Sequence, residues 1–393
     1  MTNPDRGRII DAAARTFAAR GYMRATLHEI CSDAGVGMQE LSAEFPDKYE
    51  LFAETVLSTT AATLSASDHA SGEVRDSRQA RSQIAAVIEA TARIMIARRD
   101  SSGFYRAEVR HLHPDHREEN RALLTELQKR IVRPLAVMRP ELSRDERSLI
   151  AAAAHSALAS ITIHPTTLPE PKILTLLTTA AMRVVDSAPA TSADVIDGPT
   201  LHFPWKTEDA PRWRIHRAAI ALFAERGFDA VTMDDIAASS GEPREAIERE
   251  FGTTFDILYA GCLEGHLELA RINRDALALP GGPRAVLAAL CHNYVRHSFE
   301  EPDGMTVFLN DGRRLQGEQL DHMLRMQTET VGYWVRTLLE ARPELSTPEA
   351  SFLVFAGLSI VNDLGRALEW QRGELTEARI ERLVLAVMAS LRH

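Results

Sequence analysis

The segment from Arg8 to Phe45 aligns without a gap on the segment from Arg214 to Phe251. The pairs Phe17/Phe223, Arg20/Arg226, Gly21/Gly227, Thr26/Thr232, Ile30/Ile236, Gly35/Gly241 and Phe45/Phe251 set the register. A second mark lies far downstream, where the run Arg139–Ser143 recurs as Arg342–Ser346. A duplication this long obliges both halves to solve one folding problem, so any fold proposed for the first must also fit the second. The run from Asp186 to Arg212 is rich in Pro, Ser, Thr and Asp and lacks helical periodicity, which marks it as a connector. The division expected is a head over 1–56, a body over 57–187, a linker over 188–211, a second head over 212–262 and a second body over 263–393.

Within each copy the periodicity is helical. Ile10, Ala13, Ala14 and Phe17 recur at spacings of one face of a helix, and the run ends at Gly21, where a positive φ carries no Cβ penalty. Thr26 stands three residues before Glu29, the spacing at which a hydroxyl caps a helix start while the carboxylate reaches back; Thr232 and Asp235 form a weaker copy. The helix this starts runs to Ala34-Gly35, and a further short helix carries Leu41 and Phe45 on one face, mirrored by Ile247 and Phe251. These four are read as core. Two short helices joined by a tight turn, behind a supporting helix, predict a helix-turn-helix whose second member enters the major groove. Aromatics at 6% and only 18 Pro and 21 Gly among 393 residues favour long helices throughout, so the fold class expected is all-α: two repeated units, each a three-helix head on a helical-bundle body.

These residues carry a family resemblance. Phe17-Ala-Ala-Arg-Gly21, Thr26-x-x-x-Ile30, Ala34-Gly-Val36 and Leu41-x-x-x-Phe45-Pro-Asp-Lys48-x-x-Leu51, repeated as Leu222-Phe-Ala-Glu-Arg-Gly227, Thr232-Met-x-x-Ile236-Ala and Gly241, resemble the N-terminal domain of the TetR family of bacterial transcriptional repressors. The resemblance implies a DNA-binding head on a helical effector body whose last two helices pair with a partner subunit as a four-helix bundle. Here both subunits would lie in one chain, a pseudo-dimer that reads an asymmetric double-stranded DNA operator.

The heads depart from the family pattern. Ser42 and Glu44 in the first copy, and Glu248 and Glu250 in the second, stand where the family offers phosphate-holding Tyr or His; Thr254 stands where the first copy has Lys48. From Asp5 to Glu54 acids outnumber bases nine to six, and the whole chain carries a net charge of −10, so bulk charge does not draw it to DNA and phosphate contacts must be local. The DNA-facing set expected is Arg24, Thr26, Gly37, Met38, Gln39, Ser42 and Lys48 in the first head and Thr232, Arg244, Glu245 and Arg249 in the second. A solvated face is an equally good account of Arg20 and Arg24. The first head, with Gln39 able to read adenine through two hydrogen bonds, is expected to supply most of the sequence reading.

The resemblance implies an effector cavity in the bodies, and at most one body is expected to hold the small-molecule effector tightly, an apolar compound favouring the second. Phe104, Tyr105 and His111 in the first, and Met305, Phe308, Met326 and Trp334 in the second, are the candidate ligand-binding residues, with the first body the more polar. A stripe of Met and aromatic residues at helical spacing is more often core, and that account stands beside the ligand one. His111, His113 and His116 do not share a helix face and Pro114 interrupts them, which argues against a metal site; His155 and His164 are expected to be hydrogen-bonded core histidines.

No phosphate-binding glycine loop, zinc-protease pair or nucleophile elbow occurs, so no enzyme and no cofactor are expected. Cys31, Cys262 and Cys291 are odd in number and far apart, and the N-terminus lacks a signal-peptide core; both point to the cytoplasm. The function expected is a TetR-type transcriptional repressor released or retuned by a small molecule. The alternative is a duplicated ligand- or protein-binding module whose acidic recognition helices no longer bind DNA.

Overall fold

The structure, a computed structural model, describes residues 4–70, 72–101, 108–191, 210–373 and 375–388. Among these there is helix and no strand. In the first half α1 (Pro4–Arg24), α2 (Leu27–Ala34) and α3 (Met38–Glu44) form the head. The body follows with α4 (Lys48–Ala66), α5 (Ser77–Ala97), α6 (Pro114–Met138), α7 (Arg144–Ala159) and α8 (Glu170–Val185). The second half repeats the order. Its head is α9 (Pro211–Arg226), α10 (Met233–Ser240) and α11 (Arg244–Phe251). Its body is α12 (Thr254–Leu277), α13 (Gly282–Glu300), α14 (Pro302–Asp311), α15 (Gly317–Ala341), α16 (Thr347–Ala367) and α17 (Thr376–Met388).

The chain divides into two compact units that do not coincide with the two repeats. One comprises residues 1–189 with 348–360 and 386–393, the other 190–347 with 361–385. The first part of α16 therefore belongs to the unit built mainly from the first repeat. Within that unit Lys172 on α8 faces Glu349 on α16 at 3.4 Å, and His164 lies stacked on Phe355 and edge-on to Phe352, each 4.5 Å between centroids.

The first head closes on Ile9, Ala12, Ala13, Phe17, Ile30, Leu41, Phe45, Leu51 and Phe52, all buried. Phe17 meets Phe52 edge-to-face at 5.4 Å, which anchors the head on the first turns of α4. Leu41 and Phe45, Ile247 and Phe251 are core, as their periodicity requires. The second head closes on Ile215, Ala219, Phe223, Ile236, Ile247 and Phe251, and its cluster runs on into Val307, Leu315 and Met323 of the body.

Gly21 breaks α1 with φ 72° and ψ 159°, and Gly227 ends α9 with φ 82° and ψ 149°. Both need the positive φ foreseen from sequence, but in an extended conformation outside the left-handed helical well, accessible to Gly alone. Gly35 and Gly241 occupy the left-handed well itself and close α2 and α10.

One expectation about the core needs correction. His155 has the hydrogen bond foreseen, from Nδ1 to the Ala151 carbonyl at 2.9 Å, but neither ring nitrogen of buried His164 is hydrogen-bonded among the described residues. The Arg99 guanidinium, bonded to the carbonyls of Ile161, His164 and Thr166, takes the donor positions nearby, and the imidazole is left to pack as an aromatic ring.

Candidate nucleic-acid interface

Each head begins its second helix with a reciprocal cap. Thr26 Oγ1 accepts from the Glu29 amide at 3.2 Å while the Glu29 carboxylate accepts from the Thr26 amide at 3.0 Å. Thr232 and Asp235 repeat this at 3.2 and 2.8 Å, so the second copy is as complete as the first. The Thr26 and Thr232 hydroxyls also donate to these carboxylates, and together with the threonine amides they hold Glu29 and Asp235 below the ordinary carboxylate range. Arg20 and Arg226 each lie 3.6 Å from the capping acid of their own head, which places Arg20 on a paired surface between α1 and α2.

The recognition helix of the first head, α3, starts with the Glu40 carboxylate accepting from the Gly37 amide at 2.7 Å. Glu40 is thereby turned back onto the backbone. Met38, Gln39 and Ser42 are exposed along the helix, Met38 with 43% of its surface in solvent. Arg24 and Thr26 are exposed, and Lys48 at the start of α4 is half-buried. The Lys48 ammonium donates to the Met23 carbonyl at 3.2 Å and lies 4.8 Å over the Tyr22 ring; burial lowers its pKa.

The second head presents a different surface. Arg244 donates to Glu248 at 2.7 Å and to Asp234 at 3.0 Å, so its guanidinium is bonded within the head. Glu245 and Arg249 are exposed on α11, and Thr232 is exposed at the front of α10. Glu44 and Glu250, acids at the C-terminal ends of the two recognition helices, are each paired with an arginine from the first turn of the preceding long helix, Arg6 at 3.2 Å and Arg212 at 3.6 Å. Sequence reasoning missed these two arginines. The signal was their equivalent position in the two copies, upstream of the aligned segment.

The ligand candidates scatter. Phe104 and Tyr105 lie outside the described residues. His111 Nε2 stands 3.4 Å from the buried Glu108, whose carboxylate also accepts from the Tyr22 amide at 3.0 Å; His111 thus belongs to the junction of head and body. His113 stacks on Tyr49 at 3.7 Å and His116 bonds to the Tyr49 hydroxyl at 2.8 Å, so these two histidines share Tyr49 while His111 is turned to Glu108. In the second body Trp334 is buried edge-on to Tyr294 and Met305 is buried, as core would be; Met326 is half-buried, and Phe308 packs on the head core, 5.0 Å from the His266 ring. A groove of 560 Å³ between α5 and α8, lined by Arg81, Glu89, Thr178, Met182 and Asp186 among others, includes none of these candidates.

The second body, expected to be the more apolar, carries buried charges. Glu268, Arg296, Asp311, Arg314 and Glu381 are each less than a tenth exposed. His297 lies 3.7 Å from Glu268, and neither polar atom of the Asn273 amide, 1% exposed, is hydrogen-bonded among the described residues.

Two exposed helix-turn-helix surfaces on helical bodies in one chain define a duplicated protein of DNA-binding architecture. Residues 9–55 and 215–260 both match the family described as bacterial regulatory proteins, tetR family. The chain thus carries two TetR-like segments in tandem, one in each half. It is similar to a solved TetR-family transcriptional regulator from Bordetella parapertussis, with 19% identity over 47% of this chain and 96% of that one and a TM-score of 0.43. It is also similar to the ketosteroid transcriptional regulator of Mycobacterium tuberculosis, with 20% identity over 46% and 93% and a TM-score of 0.40. A third is the fatty acid degradation regulator from Bacillus halodurans, with 17% identity over 48% and 100% and a TM-score of 0.41. No curated protein matches the chain.

Proposed function

We propose that this chain is a cytoplasmic, non-enzymatic repressor that binds double-stranded operator DNA as a single polypeptide, with the first head reading bases and the second contributing backbone contacts. The observation that carries this is the contrast between the recognition helices. Met38, Gln39 and Ser42 stand exposed on α3, whereas Arg244 on α11 is bonded to Asp234 and Glu248. Free donors and acceptors specify bases, while a cation already bonded in the protein must break those bonds before it meets DNA. Arg24, Thr26, Gly37 and Lys48 would hold phosphates beside the first helix, and Thr232, Glu245 and Arg249 would line the second. No described helix is long and apolar enough to cross a membrane.

The domain division proposed keeps heads over 1–56 and 212–262, bodies over 57–187 and 263–393 and a linker over 188–211. The inclusion of residues 348–360 in the first compact unit, with Lys172 on α8 facing Glu349, supports pairing between segments of the two repeats within one chain. Two unequal heads on such a frame favour an asymmetric operator.

The effector proposed is a small molecule in the second body, apolar in its bulk. The buried Asn273 amide adds one polar requirement, because a buried unpaired amide costs about 1–3 kcal/mol that a ligand able to pair with it recovers. Selection of duplexes from a random pool by the purified chain, with light scattering on the complex, tests the DNA reading. One chain on an asymmetric site is the expected result, and two chains on a perfect palindrome would overturn it. A thermal-shift screen of small metabolites against the wild type and Asn273→Leu tests the ligand.

A further inference from the structure

Each recognition helix ends against an arginine that comes from 38 residues earlier in the chain. In the first head Arg6 Nη1 donates to the Glu44 carbonyl at 3.0 Å and to its carboxylate at 3.2 Å, Nη2 lies 3.7 Å from Glu54, and the guanidinium covers the Phe45 ring at 4.4 Å. In the second head Arg212 Nη1 donates to the Glu250 carbonyl at 2.8 Å and lies 3.6 Å from its carboxylate, with the guanidinium 4.2 Å over Phe251. The same four-part contact, of carbonyl, carboxylate, ring and guanidinium, is thus built twice in heads that differ at most of their exposed positions.

We propose that Arg6 and Arg212 are positioning residues that make two acidic recognition helices compatible with DNA, an inference that rests on the DNA-binding reading above. The C-terminal end of a helix carries about half a negative charge on its unpaired carbonyls, and Glu44 and Glu250 add a full one at the same place. Both oppose the phosphate backbone, whose contacts dominate DNA affinity. One guanidinium answers both, because its planar fork bonds the end carbonyl and the carboxylate while its face lies on the aromatic ring that plugs the helix into the core. The clamp therefore does two things. It removes a repulsive charge from the DNA-facing module, and it fixes the helix end to the start of the long supporting helix, so that the exposed residues of α3 and α11 stand at a defined angle. Lys in this position would keep the charge without the fork and the stack.

Three variants of the full chain separate this role from a direct phosphate contact. Arg6→Met keeps the apolar stem over Phe45 and drops the charge. It should weaken binding to a duplex selected by the wild-type chain on the order of ten-fold. Adding Glu44→Gln to Arg6→Met should recover most of that loss, because the charge to be neutralised is gone, and Arg6→Lys should lie between. The salt dependence of Arg6→Met should keep the wild-type slope. If the double variant is no better than Arg6→Met and the slope falls by about 0.9, Arg6 touches a phosphate and the proposal is overturned. A second readout needs no DNA. Amide exchange at Phe45, whose N–H bonds to the Leu41 carbonyl at 2.9 Å, should quicken in free Arg6→Ala with little change in the melting of the whole chain. Unchanged exchange would overturn the clamp, whereas failure of the wild-type chain to select any duplex would sink the DNA-binding reading and leave the exchange result to stand for itself.

Discussion

Arg244 on α11 is bonded across the turn to Asp234 on α10 at 3.0 Å, and its Nε is on Glu248 at 2.7 Å. The forward cation of the second head is thereby neutralised before any nucleic acid arrives. Bonds to both acids raise the already high guanidinium pKa further. Among the described residues no such pair engages Met38, Gln39 or Ser42 on α3, where the residue aligned with Glu245 is Gln39.

Gln39→Ala should cost about 1–3 kcal/mol in binding and relax one base position of a selected operator. Arg244→Ala should change little, while the double variant Asp234→Ala with Glu248→Ala should release the guanidinium and steepen the salt dependence by about one phosphate contact. Binding curves at several salt concentrations read all three. Loss of binding with Arg244→Ala and none with Gln39→Ala would reverse the roles of the heads.

Lys48→Ala should weaken binding to every sequence alike and lower the salt slope by about one. Its ammonium is held by one hydrogen bond to the Met23 carbonyl at 3.2 Å and by the Tyr22 ring at 4.8 Å, so the cost of redirecting it to a phosphate is small. Isothermal titration on specific and random duplexes gives the comparison. An effect confined to one sequence would make Lys48 a base reader.

Gly21→Ala should lower stability by more than about 1 kcal/mol, since φ 72° is unfavourable for a Cβ and that Cβ would stand 3.1 Å from Glu108 Oε1. The same Glu108 carboxylate accepts from the Tyr22 amide, so the variant should also loosen the head. Gly7→Ala is the internal comparison. It lies in the helical part of α1 with nothing within 4 Å of the added carbon, and should stabilise by about 0.5–1 kcal/mol. Chemical denaturation of the two variants should move in opposite directions.

His164 should make the fold acid-sensitive. Burial and the Arg99 guanidinium push its pKa down to about 3, whereas the unfolded chain protonates near 6.5. The unfolded state then binds the extra proton, so stability falls as pH drops below about 6.5 and goes on falling to about 3. At about pH 5 the loss from this one group is on the order of 2 kcal/mol, and His164→Phe should remove it. Denaturation midpoints of the two proteins that run parallel from neutral pH to pH 5 would show that the ring is not held neutral in the fold.

Much of each head was legible in contiguous residues. Caps, helix ends and core faces depend on groups three or four positions apart, so Thr26 and Glu29, Gly35, Leu41 and Phe45 carry their structural roles in their spacing. The ligand candidates were less legible, because periodicity gives the buried face of a helix but not what that face meets. Trp334 and Phe308 share a helical signature with pocket walls, and packing made the first an edge-on partner of Tyr294 and the second a neighbour of the head core. His164 looked like a histidine that the core would satisfy, yet the nearby carbonyls went to Arg99.

The sequence by itself determined the duplication, the helical class and the two helix-turn-helix heads, because repeats, hydrophobic period and reciprocal caps are properties of neighbouring residues. Only the tertiary structure decided which charges remain for a partner. Arg6 with Glu44, Arg244 with Asp234, Glu108 with the Tyr22 amide and Lys172 with Glu349 are separated by 38, 10, 86 and 177 positions. Whether such groups meet depends on helix packing angles rather than on spacing, and a count of acids and bases along the chain treats a guanidinium that is clamped and one that is free as the same charge.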